Sequence, residues 1–168
     1  WAAAAVFAGV FFLGLYLYPR ISGVKTTVRP AIAAALPANP ELRLADGTRI
    51  DLSDPASRQI DAGKIKVATS GKALTYSASG DSVLQWASLY VPNKRDYKLS
   101  LPDGSKVWLN AASSLRFPYA FGGGTREVYL EGEGYFQIAR NTARPFIVHT
   151  RSTSVTVLGT SFNIDAYE

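Results

Sequence analysis

The stretch YKLSLPDGSKVWLN, residues 97–110, predicts a β-hairpin. Apolar and polar residues alternate on both sides of its middle, and a period of two is typical of a strand with one buried face. Asp103-Gly104 lies between the two arms. Glycine accepts a positive φ and aspartate tolerates one, so this pair is a strong signal for a tight turn. We therefore expect two antiparallel strands joined at Asp103-Gly104.

The same pattern occurs earlier in the chain. Residues 41–52, ELRLADGTRIDL, have leucines at the same spacing before an Asp-Gly pair, and a β-branched residue and a leucine at the same spacing after it. Two copies indicate a repeated supersecondary unit. They do not indicate a solenoid, which needs about three repeats or more to bury a continuous core.

The rest of the chain predicts further short strands. Tyrosine, phenylalanine and turn residues are frequent, a composition typical of β proteins. Residues 64–69 and 72–77 predict another hairpin around Ser70-Gly71. We predict an all-β fold, either an antiparallel two-sheet sandwich or a jelly-roll-like barrel. The alternation assigns to the core Leu99, Leu101, Val107, Leu109, Leu130, Phe136, Ile138, Phe146, Val148, Val155, Val157, Phe162 and Ile164.

Two glycine-containing segments interrupt the predicted strands. Glu131-Gly132-Glu133-Gly134 lies between two strand-like stretches and predicts a tight turn or a β-bulge. At Leu158-Gly159-Thr160 the apolar residues change from odd to even positions. A strand with a period of two keeps its parity unless a residue is inserted, so we expect a β-bulge at Gly159.

Composition argues against several kinds of site. The chain has 168 residues, no cysteine and a single histidine, His149, which disfavours thiolate, disulfide and zinc chemistry. The net charge of +5 is spread along the sequence, so no nucleic-acid-binding stripe is predicted. Gly122-Gly123-Gly124 lacks the lysine and the following helix of a phosphate loop. We predict no metal site, no cofactor and no catalytic constellation, and we place His149 at the surface or at a sheet edge.

Residues 1–18, WAAAAVFAGVFFLGLYLY, carry no charged side chain. An apolar helix of this length spans roughly 27 Å, close to the thickness of the hydrocarbon core of a bilayer. We interpret it as one transmembrane helix, with a signal-peptide core as the alternative. Residues 19–40 are rich in proline and alanine and predict a linker, and residues 41–168 predict the β domain. Because the chain opens inside an apolar run and without methionine, we expect it to be a fragment of a longer protein.

Four motifs follow one another in an order that resembles FecR-like proteins: LPDGSKVWLNAASSLRFP, LEGEGYFQIA, RPFIVHT and VTVLGTSFNIDAY. FecR-like proteins are single-pass anti-sigma regulators of cell-surface signalling in Gram-negative bacteria. The motifs look most similar to the Bacteroidetes branch. The resemblance covers residues 41–168 and implies that a smaller C-terminal subdomain of the periplasmic part is missing.

The resemblance implies signal transduction without an enzyme activity. It implies that a region preceding Trp1 binds an extracytoplasmic-function sigma factor, and that the periplasmic part senses the signalling domain of a TonB-dependent outer-membrane transporter. The protein would then cross the inner membrane once, with the β domain in the periplasm and no direct contact with nucleic acid. Arg20, Lys25 and Arg29 follow the apolar run, and the positive-inside rule taken alone favours the opposite orientation.

Some relatives cut their own chain at a Gly-Thr bond, and the resemblance places that bond at Gly159-Thr160. In such an acyl shift the Thr160 hydroxyl attacks the Gly159 carbonyl carbon, and water opens the resulting ester. A hydroxyl nucleophile needs activation or strain, which a bulge can supply. The alternative is that Gly159 serves the fold alone.

A second class of function is a membrane-anchored carbohydrate- or envelope-binding β-sandwich. Trp86, Tyr90, Trp108 and Tyr119 are the candidate aromatic residues, and a contiguous exposed groove would favour this class. Trp108 is out of phase with its apolar neighbours, so we expect it to cover the second face of its sheet or to lie exposed as a contact. An envelope enzyme is the weakest class, because histidine and acidic residues do not cluster in the sequence.

Overall fold

The computed structural model describes residues 37–79 and 85–167, and this part of the chain forms thirteen β-strands and no helix. No helix among these residues is therefore long and apolar enough to cross a membrane. The predicted transmembrane segment, residues 1–18, and most of the predicted linker lie outside the described residues. The strands are Glu41–Arg43 (β1), Arg49–Asp51 (β2), Arg58–Ala62 (β3), Ile65–Ser70 (β4), Ala73–Ala78 (β5), Trp86–Val91 (β6), Tyr97–Ser100 (β7), Lys106–Leu109 (β8), Ser113–Pro118 (β9), Arg126–Gln137 (β10), Phe146–His149 (β11), Ser154–Val157 (β12) and Ser161–Ala166 (β13).

These strands form one continuous hydrogen-bonded sheet, and the long strand β10 belongs to both of its halves. Residues 126–131 of β10 pair with β9 and β11, whereas residues 132–137 pair with β8 and β13. Half A has the order β2-β1-β6-β9-β10-β11-β12, and half B has the order β3-β4-β5-β7-β8-β10-β13. The sheet therefore curls at the middle of β10.

The two halves face each other across one apolar core. The ring of Tyr76 from half B lies 5.1 Å from the ring of Phe117 in half A. The Tyr76 hydroxyl donates a hydrogen bond of 2.9 Å to the carbonyl of Pro118. Burial raises the pKa of Tyr76, which keeps this hydroxyl protonated as a donor. The contact thus joins the two halves through both packing and a hydrogen bond.

Most of the predicted core is buried. The exceptions are the four residues on β12 and β13: Val157, Phe162 and Ile164 are partly buried and pack against the core, and Val155 is partly buried. Both strands lie at the end of a sheet half, where fewer neighbours cover them. The fully buried members of the prediction are Leu99, Leu101, Val107, Leu109, Leu130, Phe136, Ile138, Phe146 and Val148.

Both predicted Asp-Gly hairpins are confirmed, and their turns are equivalent. In the first, Gly47 has a φ of +88° and its N–H donates to the Leu44 carbonyl at 3.1 Å. In the second, Gly104 has a φ of +85° and donates to the Leu101 carbonyl at 3.1 Å. The repeat in the sequence therefore corresponds to a repeat in backbone geometry. The hairpin predicted around Ser70-Gly71 is also present, as β4 and β5.

The all-β prediction is confirmed, and its strand arrangement is corrected in two respects. The two halves belong to one curled sheet through their shared strand, rather than to two separate sheets. Two pairs are parallel, β5 with β7 and β10 with β11. In each case the chain passes through the opposite half before it returns, and such a crossover is what a parallel pair requires.

The tight turn predicted at the first glycine-containing segment and the bulge predicted at the second are both wrong. Glu131-Gly132-Glu133-Gly134 is no turn, since β10 runs through it, and the bend lies at Gly132, with a φ of +86°. Leu158-Gly159-Thr160 is not a bulge inside one strand. It connects β12 in half A to β13 in half B. The change of parity therefore reflects a change of sheet half.

We expect Gly132→Ala to destabilise the domain more than Gly47→Ala. Both glycines have nearly the same positive φ, which costs an alanine about 1–2 kcal/mol. A Cβ at Gly132 would also lie 2.9 Å from the Ala112 carbonyl oxygen, whereas nothing lies within 4 Å at Gly47. Overpacking of this kind adds about 1–3 kcal/mol. Urea unfolding of both variants measures the difference. Equal losses of unfolding free energy would contradict a steric requirement for glycine at position 132.

Candidate functional site

A buried arginine at the start of β10 joins three separate segments. Arg126 is 1% exposed. Its Nη1 donates to Asp103 Oδ2 at 2.7 Å and to the Ala139 carbonyl at 3.0 Å. Its Nε donates to the Arg144 carbonyl at 2.9 Å. One cation thus connects the β7–β8 turn, the residues after β10 and the residues before β11.

Ser105 completes this network from the other side. Its hydroxyl donates to Asp103 Oδ2 at 2.7 Å and accepts from the backbone N–H of Ala139 at 3.0 Å. Ala139 is therefore held at both its N–H and its carbonyl. In the first hairpin the equivalent residues, Asp46 and Thr48, are exposed. The repeat therefore supplies the same turn twice, and the second copy alone is tied to a buried arginine.

The predicted cleavage segment lies directly against the residues that this network holds. The carbonyl of Leu158 accepts from Asn141 N at 2.7 Å, and the carbonyl of Thr160 accepts from Ile138 N at 3.0 Å. Gly159, between them, has a φ of +146°, and a Cβ there would lie 2.9 Å from Arg140 N. Only glycine fits this approach of two backbones. Thr160 itself is exposed.

The four predicted aromatic residues do not form a contiguous groove. Tyr119 is 3% exposed, and its hydroxyl accepts from Ala45 N at 2.9 Å. Burial raises the pKa of Tyr119, as expected of a core residue. Trp108 lies on the outer face of half B beside Tyr135, with 5.6 Å between the ring centroids. It covers the second face of its sheet, as the sequence predicted. Trp86 belongs to half A.

The outer face of half A has an aromatic cluster of its own, formed by Trp86, Arg116, Tyr129 and His149. Tyr129 is at its centre and is 41% exposed. The indole of Trp86 lies 5.5 Å from it and the imidazole of His149 stacks on it at 4.7 Å. The Arg116 guanidinium lies 4.8 Å from the Trp86 ring. Such contacts between a cation and aromatic rings fix the orientation of the side chains.

Glu127 lies beside this aromatic cluster in a defined hydrogen-bond arrangement. Its carboxylate accepts from the Thr125 hydroxyl at 2.6 Å and contacts His149 Nε2 at 3.2 Å. The hydrogen bond from Thr125 is the main cause that lowers the pKa of Glu127, followed by that from His149. Glu127 is therefore a carboxylate near neutral pH. His149 is partly exposed, in agreement with its predicted surface position.

Sequence reasoning missed Arg126 and Tyr129. Arg126 lies two residues before Val128, at a strand position that the alternation assigns to the core. The sequence does not indicate which carboxylate would pair with an arginine buried there. Tyr129 is in phase with Glu127 and Glu131, so its exposure was readable from the alternation. Among residues 37–79 and 85–167, no three His, Cys, Asp or Glu side chains group as metal ligands.

The fold and these surfaces define an all-β domain with a duplicated Asp-Gly hairpin and one strand shared by both sheet halves. Residues 88–168 match the model of the FecR protein family. The match confirms the resemblance that the four motifs indicated.

Two crystal structures of a proposed anti-sigma factor from Parabacteroides distasonis are similar to the chain, at 41% and 42% sequence identity. Their TM-scores are 0.49 and 0.48, and the matches cover 49% and 48% of this chain. They cover 39% and 38% of those chains, so the match spans about two fifths of their length. No curated protein matches the sequence significantly.

We expect Asp103→Ala to destabilise the domain far more than Asp46→Ala, although the two residues hold equivalent turn positions. Removing Asp103 leaves the buried Arg126 cation uncompensated, which costs about 3–5 kcal/mol. Removing Asp46 loses a hydrogen bond of 2.8 Å to an exposed backbone N–H, and water can replace that bond.

Equilibrium unfolding in urea measures both losses, and a double variant identifies their cause. Arg126→Met combined with Asp103→Ala should recover part of the stability, because no unpaired charge then remains buried. If the double variant is less stable than Asp103→Ala by the full additional cost of Arg126→Met alone, the two side chains are not coupled.

Proposed function

We propose that this chain is part of an anti-sigma regulator that relays a signal from a TonB-dependent outer-membrane transporter to an extracytoplasmic-function sigma factor. The observation that carries the proposal is the FecR family match over residues 88–168. The uncharged apolar segment at residues 1–18 supports an inner-membrane anchor. In this proposal the β domain lies in the periplasm, and the sigma factor binds residues that precede Trp1.

The architecture suits a relay that works by binding. Among the described strands, β13 pairs only with β10, and β12 pairs only with β11. Each therefore presents backbone N–H and carbonyl groups on its free side, and such an edge accepts an added strand from a partner. The Arg126 network gives β10, and through it β13, a rigid support.

Affinity purification of the full-length protein from solubilised membranes tests this proposal. We expect mass spectrometry to identify both a sigma factor and a TonB-dependent transporter. The matched control is the same protein without the residues that precede Trp1. It should still bind the transporter and should no longer bind the sigma factor. Recovery of neither partner from the full-length protein would contradict the proposal.

We further propose that the chain cuts itself once at Gly159-Thr160. The Thr160 Oγ1 bonds to the Gly159 carbonyl carbon, the peptide C–N bond breaks, and the hydroxyl proton passes to the new amine of Thr160. Water then hydrolyses the ester, which frees the Gly159 carboxylate and the Thr160 hydroxyl. The positive φ of Gly159 and the hydrogen bonds on both sides of it support a peptide held in one defined position.

Intact-mass spectrometry of the denatured protein tests the cleavage. We expect the wild-type chain to give two fragments that meet at Gly159-Thr160, the Thr160→Ala variant to remain whole, and the Thr160→Ser variant to be cut, because serine retains the nucleophilic hydroxyl. The fragments should stay together without denaturant, since β13 pairs with β10 over six residues. An uncut wild-type chain would show that no cleavage occurs at Gly159-Thr160. Cleavage of Thr160→Ala would show that Thr160 is not the nucleophile.

A further inference from the structure

A cavity of about 310 Å³ opens beside the aromatic cluster of half A, and no role assigned so far uses it. It lies between the start of β6, the end of β9 and the loop that leads into β10. One wall is the indole of Trp86, and the carboxylate of Glu127 borders it together with the Thr125 side chain. Its volume is at the lower end of the range for small-molecule sites, roughly 300–1,000 Å³.

The loop that forms the opposite wall is held in place. The Phe121 carbonyl accepts from Arg144 Nη2 at 2.8 Å. The Phe121 ring packs edge-on against the buried Phe146 at 5.8 Å. Gly122 and Gly123 follow, and their lack of side chains leaves the backbone open toward the cavity. The cavity is therefore largely formed before any ligand enters, which lowers the entropic cost of binding.

The chemistry of the lining combines one aromatic face with hydrogen-bonding groups at its border. Trp86 presents an apolar surface whose orientation Arg116 and Tyr129 fix. Glu127 is ionised and accepts hydrogen bonds, and the glycine backbone adds further polar groups. A saccharide ring has the matching character, because its C–H groups form an apolar face and its hydroxyls donate from the rim.

The charges around the cavity select against ionic ligands of either sign. Glu127 at the border disfavours an anion, and Arg116 against the indole disfavours a cation. His149 and Thr125 engage the Glu127 carboxylate by hydrogen bonds. The Arg144 guanidinium keeps its charge, and its Nη2 donates to the Phe121 carbonyl within the loop. A neutral ligand therefore avoids a penalty that charged ligands incur.

We propose that this cavity binds a neutral saccharide, with Trp86 as the stacking platform and Glu127 as a hydroxyl acceptor. The site is separate from the β12 and β13 edges and from Gly159-Thr160, so the inference does not depend on the regulatory function. It also differs from a groove built by the four aromatic residues of the sequence prediction, because Trp86 alone of those four lines the cavity.

Fluorine NMR on the whole chain in lipid nanodiscs tests the proposal. The chain has three tryptophans, Trp1, Trp86 and Trp108, and 5-fluorotryptophan gives each a signal. The probes are the methyl glycosides of glucose, galactose, mannose and N-acetylglucosamine. We expect at least one to shift the Trp86 signal with a Kd on the order of 1 mM, typical of a small neutral ligand, and to leave the Trp108 signal in place.

Two variants provide a matched comparison. Trp86→Ala lacks the reporting signal, so its affinity and that of the wild-type chain are compared by the line broadening of the glycoside's own proton signals. Trp86→Ala should weaken binding by about tenfold or more, which corresponds to loss of the main stacking contact. Trp108 also packs against a tyrosine, but on the outer face of half B and away from the cavity. Trp108→Ala should therefore leave the affinity for the glycoside unchanged. The wild-type Trp86 signal is informative by itself if Trp86→Ala does not fold.

Several results would overturn the assignment. No shift of the Trp86 signal by any of the four glycosides would exclude a saccharide site at this cavity. Tighter binding of methyl galacturonide or of choline than of every neutral glycoside would show that the site selects an ionic ligand. Equal affinity of wild-type protein and Trp86→Ala would place the binding elsewhere.

Discussion

The ion pair between Arg126 and Asp103 is the interaction on which this end of the domain depends. A guanidinium that is almost completely buried is stable only where a carboxylate and carbonyl groups compensate for the lost water. Asp103 supplies the charge, and the carbonyls of Ala139 and Arg144 supply two of the remaining acceptors. The position of the cation therefore determines where the β7–β8 turn, the end of β10 and the start of β11 meet.

The bend of β10 has consequences for both outer surfaces. Because one strand serves both halves, its outward residues before the bend belong to the face with Trp86 and Tyr129. Those after the bend belong to the face with Trp108 and Tyr135. The two tryptophan–tyrosine pairs therefore lie on different surfaces, although nothing in the sequence indicates that they are separated. The face of half A continues into the cavity that Glu127 borders.

Local signals were sufficient where the cause is local. The Asp-Gly turns need only a positive φ and a short polar side chain, and both hairpins have them. For the Glu131–Gly134 segment we predicted a tight turn or a β-bulge, and the turn is wrong, because a glycine with positive φ serves a bend inside a strand as well as a turn. The difference lies in the backbone of Ala112 and Ser113, which approaches Gly132 from a neighbouring strand. Similarly, the parity change around Gly159 showed that the strand pattern breaks, but its form depends on which sheet half the next strand joins.

The sequence by itself determined the all-β class, the duplicated hairpin, most of the buried alternation and the resemblance to FecR-like proteins. These features follow from side-chain period, turn chemistry and motif order, which act over a few neighbouring residues. The tertiary structure alone decided that β10 is shared, that Arg126 pairs with Asp103 and that Gly159 lies against Arg140. It also decided that Trp86 meets Tyr129 and Glu127. The physical reason is that each of these contacts joins segments brought together by the curl of the sheet, and no local preference specifies which distant segment arrives.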